Sequence, residues 1–181
     1  MQLKEGDLIV KRFVSLVTIA FFIFLIVFTT NAAGVPSTTA RLKIKSYAFP
    51  SYVANVYTSG NPASGNTITL YTPSGSNCQS WRNTIATSSP STMYRIACYY
   101  SSYQNLVMNY NQKTTLCTLY NYLSDPFDDY AVMYYYGDYD AVIALPGHSR
   151  VLGASGSGNG ASLYWYNRNA TAYDNWVITA W

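Results

Sequence analysis

Ile68-Thr69-Leu70-Tyr71-Thr72-Pro73-Ser74-Gly75-Ser76-Asn77-Cys78-Gln79-Ser80-Trp81 is the stretch from which the fold can be read. A short run of β-formers ends in an aromatic, a Pro/Ser/Gly/Asn turn follows, and a second aromatic stands ten residues after the first. Alternating β-branched and apolar residues bounded by turn formers predict two short strands joined by a loop. The frame recurs twice. Cys117-Thr118-Leu119-Tyr120 is followed ten residues on by Tyr130, and Leu163-Tyr164-Trp165-Tyr166 by Trp176. Two residues before each second aromatic stand Gln79, Asp128 and Asp174, side chains able to accept hydrogen bonds from backbone across a turn.

Upstream of each frame lies a short apolar segment: Val53-Ala54-Asn55-Val56, Leu106-Val107-Met108-Asn109 and Val151-Leu152-Gly153-Ala154. Further strand candidates are Arg41–Tyr47, Tyr94–Tyr99, Tyr130–Tyr136 and Ala141–Ala144, and no stretch of the body shows helical periodicity. The frames are 49 and 46 residues apart, a spacing that marks internal repeats. One unit of that length cannot cover its own apolar face, whereas three around a common axis share a core and pair their edges. The expectation is an all-β domain of three units, about 41–90, 91–138 and 139–181, with pseudo-threefold symmetry. Plain structural roles are expected for turn-bonding Gln79, Asp128 and Asp174 and for core-packing Trp81, Tyr130 and Trp176.

Composition narrows the function. At 181 residues the chain suits one domain. Ahead of it, Lys11-Arg12 precede sixteen uncharged residues, Phe13 to Phe28, and the small-residue stretch Thr29 to Gly34 follows. That order is the signature of a secretory signal peptide over 1–33, cleaved after Ala32 or Ala33; the alternative is an uncleaved signal-anchor helix. In both cases the body, after a Pro/Ser/Thr linker over 34–40, is expected outside the cytoplasm, secreted or anchored with the domain outside. The body carries eight Lys and Arg against six Asp without a basic cluster, which argues against nucleic acid as a partner. It holds no Glu and a single His, His148, so acid–base chemistry has few candidates. Asp125, Asp128 and Asp129 form one acidic turn that could supply a carboxylate pair, but Pro126 marks it as an ordinary turn, and His148 has no nucleophile elbow beside it. No enzyme is expected. Cys78, Cys98, Cys117 and His148 lack ligand spacing, so no metal or other cofactor is expected. Asn169-Ala170-Thr171 fits a glycosylation acceptor.

Gln79-Ser80-Trp81 and the loops Ser64-Gly65-Asn66 and Gly158-Asn159-Gly160 ahead of aromatic-ended strands resemble the repeats of ricin-type β-trefoil lectins. The resemblance spans Arg41 to Trp181, with Asp128-Asp129-Tyr130 and Asp174-Asn175-Trp176 standing where the family has Q-x-W. It implies a β-trefoil that binds glycans or glycoconjugates without catalysis. A sugar ring would lie on an aromatic platform, held by a polar residue of the upstream strand and by an amide near the turn. Carried over, the first unit offers Tyr71 with Asn55, Asn77 and Gln79; the second Tyr120 with Asn109 and Asp125 or Asp128; the third Tyr166 with Asp174, and Gly153 where a polar residue is expected. The expected ranking is first, second, third. The family's habit of tying first and third strands implies a Cys98–Cys117 disulfide, with Cys78–Cys98 as the alternative. Two other functions fit the same repeats: a protein-binding trefoil, such as an inhibitor or toxin accessory subunit working through exposed loops, and an adhesive surface protein exploiting the 19 tyrosines.

Overall fold

The computed structural model describes residues 37–87, 92–103, 105–122, 132–137, 140–168 and 172–181. The hydrophobic leader, Asp125, Asp128, Asp129, Tyr130 and the Asn169 acceptor lie outside them. Among the described residues no helix is long and apolar enough to cross a membrane.

Twelve strands follow one another, four to a unit: β1 (Leu42–Ser46), β2 (Val53–Val56), β3 (Ile68–Tyr71) and β4 (Trp81–Thr87); β5 (Met93–Cys98), β6 (Leu106–Tyr110), β7 (Cys117–Asn121) and β8 (Met133–Gly137); β9 (Asp140–Leu145), β10 (Arg150–Ala154), β11 (Leu163–Asn167) and β12 (Trp176–Ala180). The first and last strands of each unit make a closed ring. β1 pairs with β4 and β12, β4 with β5, β8 with β9, β9 with β12, and a Tyr94–Val132 bridge joins the second unit's pair. Closure gives each of the ring strands described a neighbour on both sides, so the ring itself presents no free edge. Period-two alternation is plain in β1, where Leu42, Ile44 and Ser46 are buried and Lys43 and Lys45 only partly so.

The middle strands form three hairpins, β2–β3, β6–β7 and β10–β11, which contact one another cyclically. Thr67 bridges Thr118, Leu116 bridges Tyr164, and Ser162 bridges Thr69. Leu119 N–H donates to Asn66 O, Trp165 N–H to Thr115 O, and Leu70 N–H to Ala161 O. Each bond repeats the last one unit further on, so the threefold relation is carried by backbone as well as sequence. Gly65 and Gly160 enable this approach: both sit at positive φ, 91° and 88°, and donate their N–H groups to Leu119 O and Leu70 O of the neighbouring hairpin. A six-stranded barrel capped by three hairpins is the β-trefoil architecture.

Trp81, Trp165 and Trp176 are fully buried in one core with Leu42, Ile44, Leu70, Leu119 and Ile143. Burial obliges each indole N–H to find an acceptor. Trp81 donates to Ala54 O at 3.0 Å and Trp176 to Leu152 O at 2.8 Å, which are equivalent hairpin positions in the first and third units.

The strand register corrects the sequence reading of the second unit. Leu42 pairs with Trp81 and Ala141 with Trp176, and the matching pair is Tyr94 with Val132. The barrel position therefore falls on buried Val132, twelve residues after Tyr120, and not on Tyr130. A chain segment two residues longer between β7 and β8 breaks the constant aromatic step.

The expected Cys98–Cys117 disulfide is also overturned. Cys78, Cys98 and Cys117 are all free, so the Cys78–Cys98 alternative is not formed either. Ala97, next to Cys98, pairs with Val107 near the start of β6, and Cys117 pairs with Tyr110 at its end. At about 3.3 Å per residue the two cysteines are roughly 13 Å apart along the ladder, about twice the Cα separation that a disulfide spans. Burial pushes the Cys98 thiol up to about 12 and the Cys117 and Cys78 thiols upward as well, which favours the protonated form.

Candidate functional site

Hairpin register decides which side chains share a face. In the first unit Val53 lies opposite Tyr71 and Asn55 opposite Thr69. In the second Val107 lies opposite Tyr120 and Asn109 opposite Thr118. In the third Val151 lies opposite Tyr166 and Gly153 opposite Tyr164. Successive strand residues point to opposite faces, so each quartet occupies one side of its hairpin while Ala54, Leu70, Met108, Leu119, Leu152 and Trp165 point into the core. Two units thus place a tyrosine, an asparagine and a threonine together in the same arrangement. Sequence reading had found the tyrosines and asparagines; it missed Thr69 and Thr118, although both stand two residues before the platform tyrosine.

In the first unit Tyr71 is 37% exposed and Asn55 only 8%. The Asn55 amide donates to Val56 O at 2.9 Å, and across from it Thr69 Oγ1 is buried with no partner among the described residues. The following loop is tied down from two sides. Gln79, wholly buried, donates from Nε2 to Thr72 O at 2.9 Å and accepts at Oε1 from Ser74 N–H at 2.8 Å. Asn159, from the third unit, accepts from Thr72 N–H at 2.8 Å. Gln79 therefore holds the rim and has no atom left at the surface. Asn77 begins the single-turn helix Asn77–Gln79, is exposed, and lies where that turn packs against β2, the strand of Asn55. Tyr71 and Asn55 share one hairpin face, and the turn that carries Asn77 packs against the strand of Asn55.

The second face is the more open. Tyr120 is 45% exposed and Asn109 half-buried, its own carbonyl engaged by the Trp165 indole at 3.3 Å. The turn residues expected to complete it, Asp125 and Asp128, lie outside the described residues.

The third face is filled. Tyr166 lies over Gly153 so closely that a Cβ there would run into its ring, and the ring packs with Val142, Ala144 and Val151. Glycine is what permits that closure, and with no polar side chain opposite Tyr164 the arrangement of the other two units is lost. Asp174, the counterpart of Gln79, is buried, and among the described residues no side-chain or loop partner within hydrogen-bond distance is found for its carboxylate oxygens. Desolvation raises its pKa, opposed weakly by its own backbone N–H and by the charge of Arg168.

Among the described residues no group of His, Cys, Asp or Glu is placed to hold a metal ion.

No family model and no curated protein matches the chain. Solved structures do. A designed threefold-symmetric protein is 14% identical with a TM-score of 0.65, covering 78% of this chain and 99% of its own. The Rhizoctonia solani agglutinin is 16% identical with a TM-score of 0.63, covering 81% and 99%. A ricin B-like lectin of Macrolepiota procera, solved in complex with lactose, is 15% identical with a TM-score of 0.62, again covering 81% and 99%. At these identities the likeness establishes the β-trefoil fold.

Proposed function

We propose that this protein is a non-catalytic carbohydrate-binding trefoil that engages neutral sugar rings on the outer faces of its first and second hairpins. The observation that carries the reading is the repetition of an exposed tyrosine and an upstream asparagine at equivalent ladder positions, Tyr71 with Asn55 and Tyr120 with Asn109. Packing alone favours burying a large aromatic, and these two are among the exposed large side chains of the domain. A flat ring beside amide donors and acceptors suits a pyranose, whose C–H face stacks while its hydroxyls are oriented by hydrogen bonds. That the ricin B-like lectin of similar fold was solved with lactose supports the same reading. The hydrophobic leader supports export, so the working environment proposed is extracellular.

A glycan array probed with the full chain tests this, beside a Tyr71→Ala/Tyr120→Ala double variant. The parent is expected to bind one sugar class saturably, and the variant about fivefold more weakly at each face, since each platform contributes on the order of 1 kcal/mol. Both substitutions are at exposed positions, so the variant's melting temperature should stay close to the parent's. A folded parent that binds nothing would shift the weight to a protein-binding trefoil. Gly153→Asn is the complementary gain-of-function test. The new side chain displaces the Tyr166 ring and recreates the Asn–Tyr arrangement, at a packing cost of about 1–3 kcal/mol. Calorimetric titration should show the number of bound sugars rise from two to three.

A further inference from the structure

The space between hairpin and barrel wall is filled differently in the three units. Lys45, Ala97 and Ala144 occupy one equivalent wall position, opposite Val53, Val107 and Val151. Two residues earlier on the same face stand Lys43, Arg95 and Val142. In the second unit the space is closed by its own side chains. The Arg95 guanidinium lies 4.0 Å from the Tyr122 ring centroid and donates to its hydroxyl at 3.0 Å. In the first unit lysines line the wall, and Lys43 turns to the Trp181 ring at 4.7 Å. In the third unit Val142 replaces Arg95 and Arg168 replaces Tyr122. Neither the cation nor the ring of the second unit is kept in its place; the Tyr166 ring packs against Val142, Ala144 and Val151 instead, and beside it stands a cleft of about 280 Å³.

Its lining is apolar on one side, where the edges of the buried Val142, Ala144 and Val151 left beside Tyr166 meet exposed Tyr135, directly across the ladder from Val142. Its rim is cationic. Arg150 holds Trp165 O at 3.0 Å and lies 5.2 Å from the Tyr110 ring, contacts that fix the guanidinium without neutralising it. Arg168 is exposed and, among the described residues, meets no carboxylate at ion-pair distance, although its field reaches buried Asp174. An apolar lining beneath two guanidinium groups matches a flat or puckered ring with one hydrophobic face and one anionic substituent, because guanidinium pairs with carboxylate through parallel hydrogen bonds. We propose that this cleft binds a small ring-bearing carboxylate, its ring against Tyr135 and the exposed edge of Val142 and its carboxylate on Arg168. Two sources share that chemistry, an acidic saccharide and an aromatic acid. The site is separate from the Tyr71 and Tyr120 faces and needs neither of them.

Methyl NMR spectra of the full chain, titrated with glucuronate, benzoate or methyl glucoside, test the proposal. Saturable shifts of the Val142 and Val151 methyls are expected with at least one acid and not with the neutral glucoside. The acid that binds identifies the source. Arg168→Gln should weaken binding about tenfold or more, and added salt should weaken it further in the parent. The pair Val142→Arg with Arg168→Tyr installs the closure of the second unit and should abolish the shifts while the fold is kept. No shift with either acid, equal shifts with methyl glucoside, or undiminished binding by Arg168→Gln would overturn it. Because Tyr71→Ala/Tyr120→Ala leaves this cleft intact, failure here and failure of the neutral-sugar faces are read separately.

Discussion

Trp81→Ala is expected to destabilise the domain by about 3–5 kcal/mol, a large share of the total stability of a domain this size. The indole is fully buried where barrel meets cap, packed among residues of more than one unit, and its N–H is committed to Ala54 O. Truncation leaves a cavity at the joint of the threefold core and strands that carbonyl without its donor. A denaturant titration should show the midpoint fall with the slope unchanged, or no cooperative transition at all. Trp81→Phe retains much of the packing and loses the hydrogen bond, so its smaller cost separates the two contributions. If Trp81→Ala cost no more than the change at exposed Tyr71, the threefold core described above would be wrong.

Asp174→Gln is expected to act in the opposite direction, raising stability by about 1–3 kcal/mol at neutral pH. In the first unit the same position holds Gln79, whose amide both donates and accepts in the loop it closes. Asp174 instead buries two oxygens without a partner among the described residues, and its pKa stands above the ordinary 3.8 because burial penalises the charge. A carboxyl with a raised folded-state pKa binds its proton more tightly in the native state than in the unfolded state. Its favourable contribution is therefore fully present below the ordinary carboxylate value and is lost as pH rises through the higher folded-state value. Unfolding titrations of parent and variant, run below and above the carboxylate range, should show the variant's advantage widen as pH increases. An advantage that is constant with pH, or absent, would mean that Asp174 is not an uncompensated buried charge.

The candidate sugar faces were partly legible because β-hairpin chemistry is local. A tyrosine ending a strand, with a threonine two residues before it and an asparagine on the strand upstream, fixes which residues share a face once register is known, and period-two alternation nearly supplies the register. What was not legible is how far each face is open. Asn55 is almost buried while Asn109 is half-buried, a difference that the matching local sequences do not announce. Gly153 read as a missing polar residue; the structure adds that its emptiness is occupied by Tyr166.

The sequence by itself determined that the chain is built from three β units of similar length, where the paired strands and their turns fall, and which tyrosines end them, because repeat period and strand alternation are written in near neighbours. The tertiary structure alone decided that Val132 and not Tyr130 completes the barrel, that Cys98 and Cys117 stand level with opposite ends of β6, and that the third unit keeps a cleft beside Tyr166 where the second unit is plugged. Those outcomes depend on which residues meet across strands distant in sequence. A two-residue difference in one loop, or an exchange of Arg95 and Tyr122 for Val142 and Arg168, changes them while leaving the local pattern almost untouched.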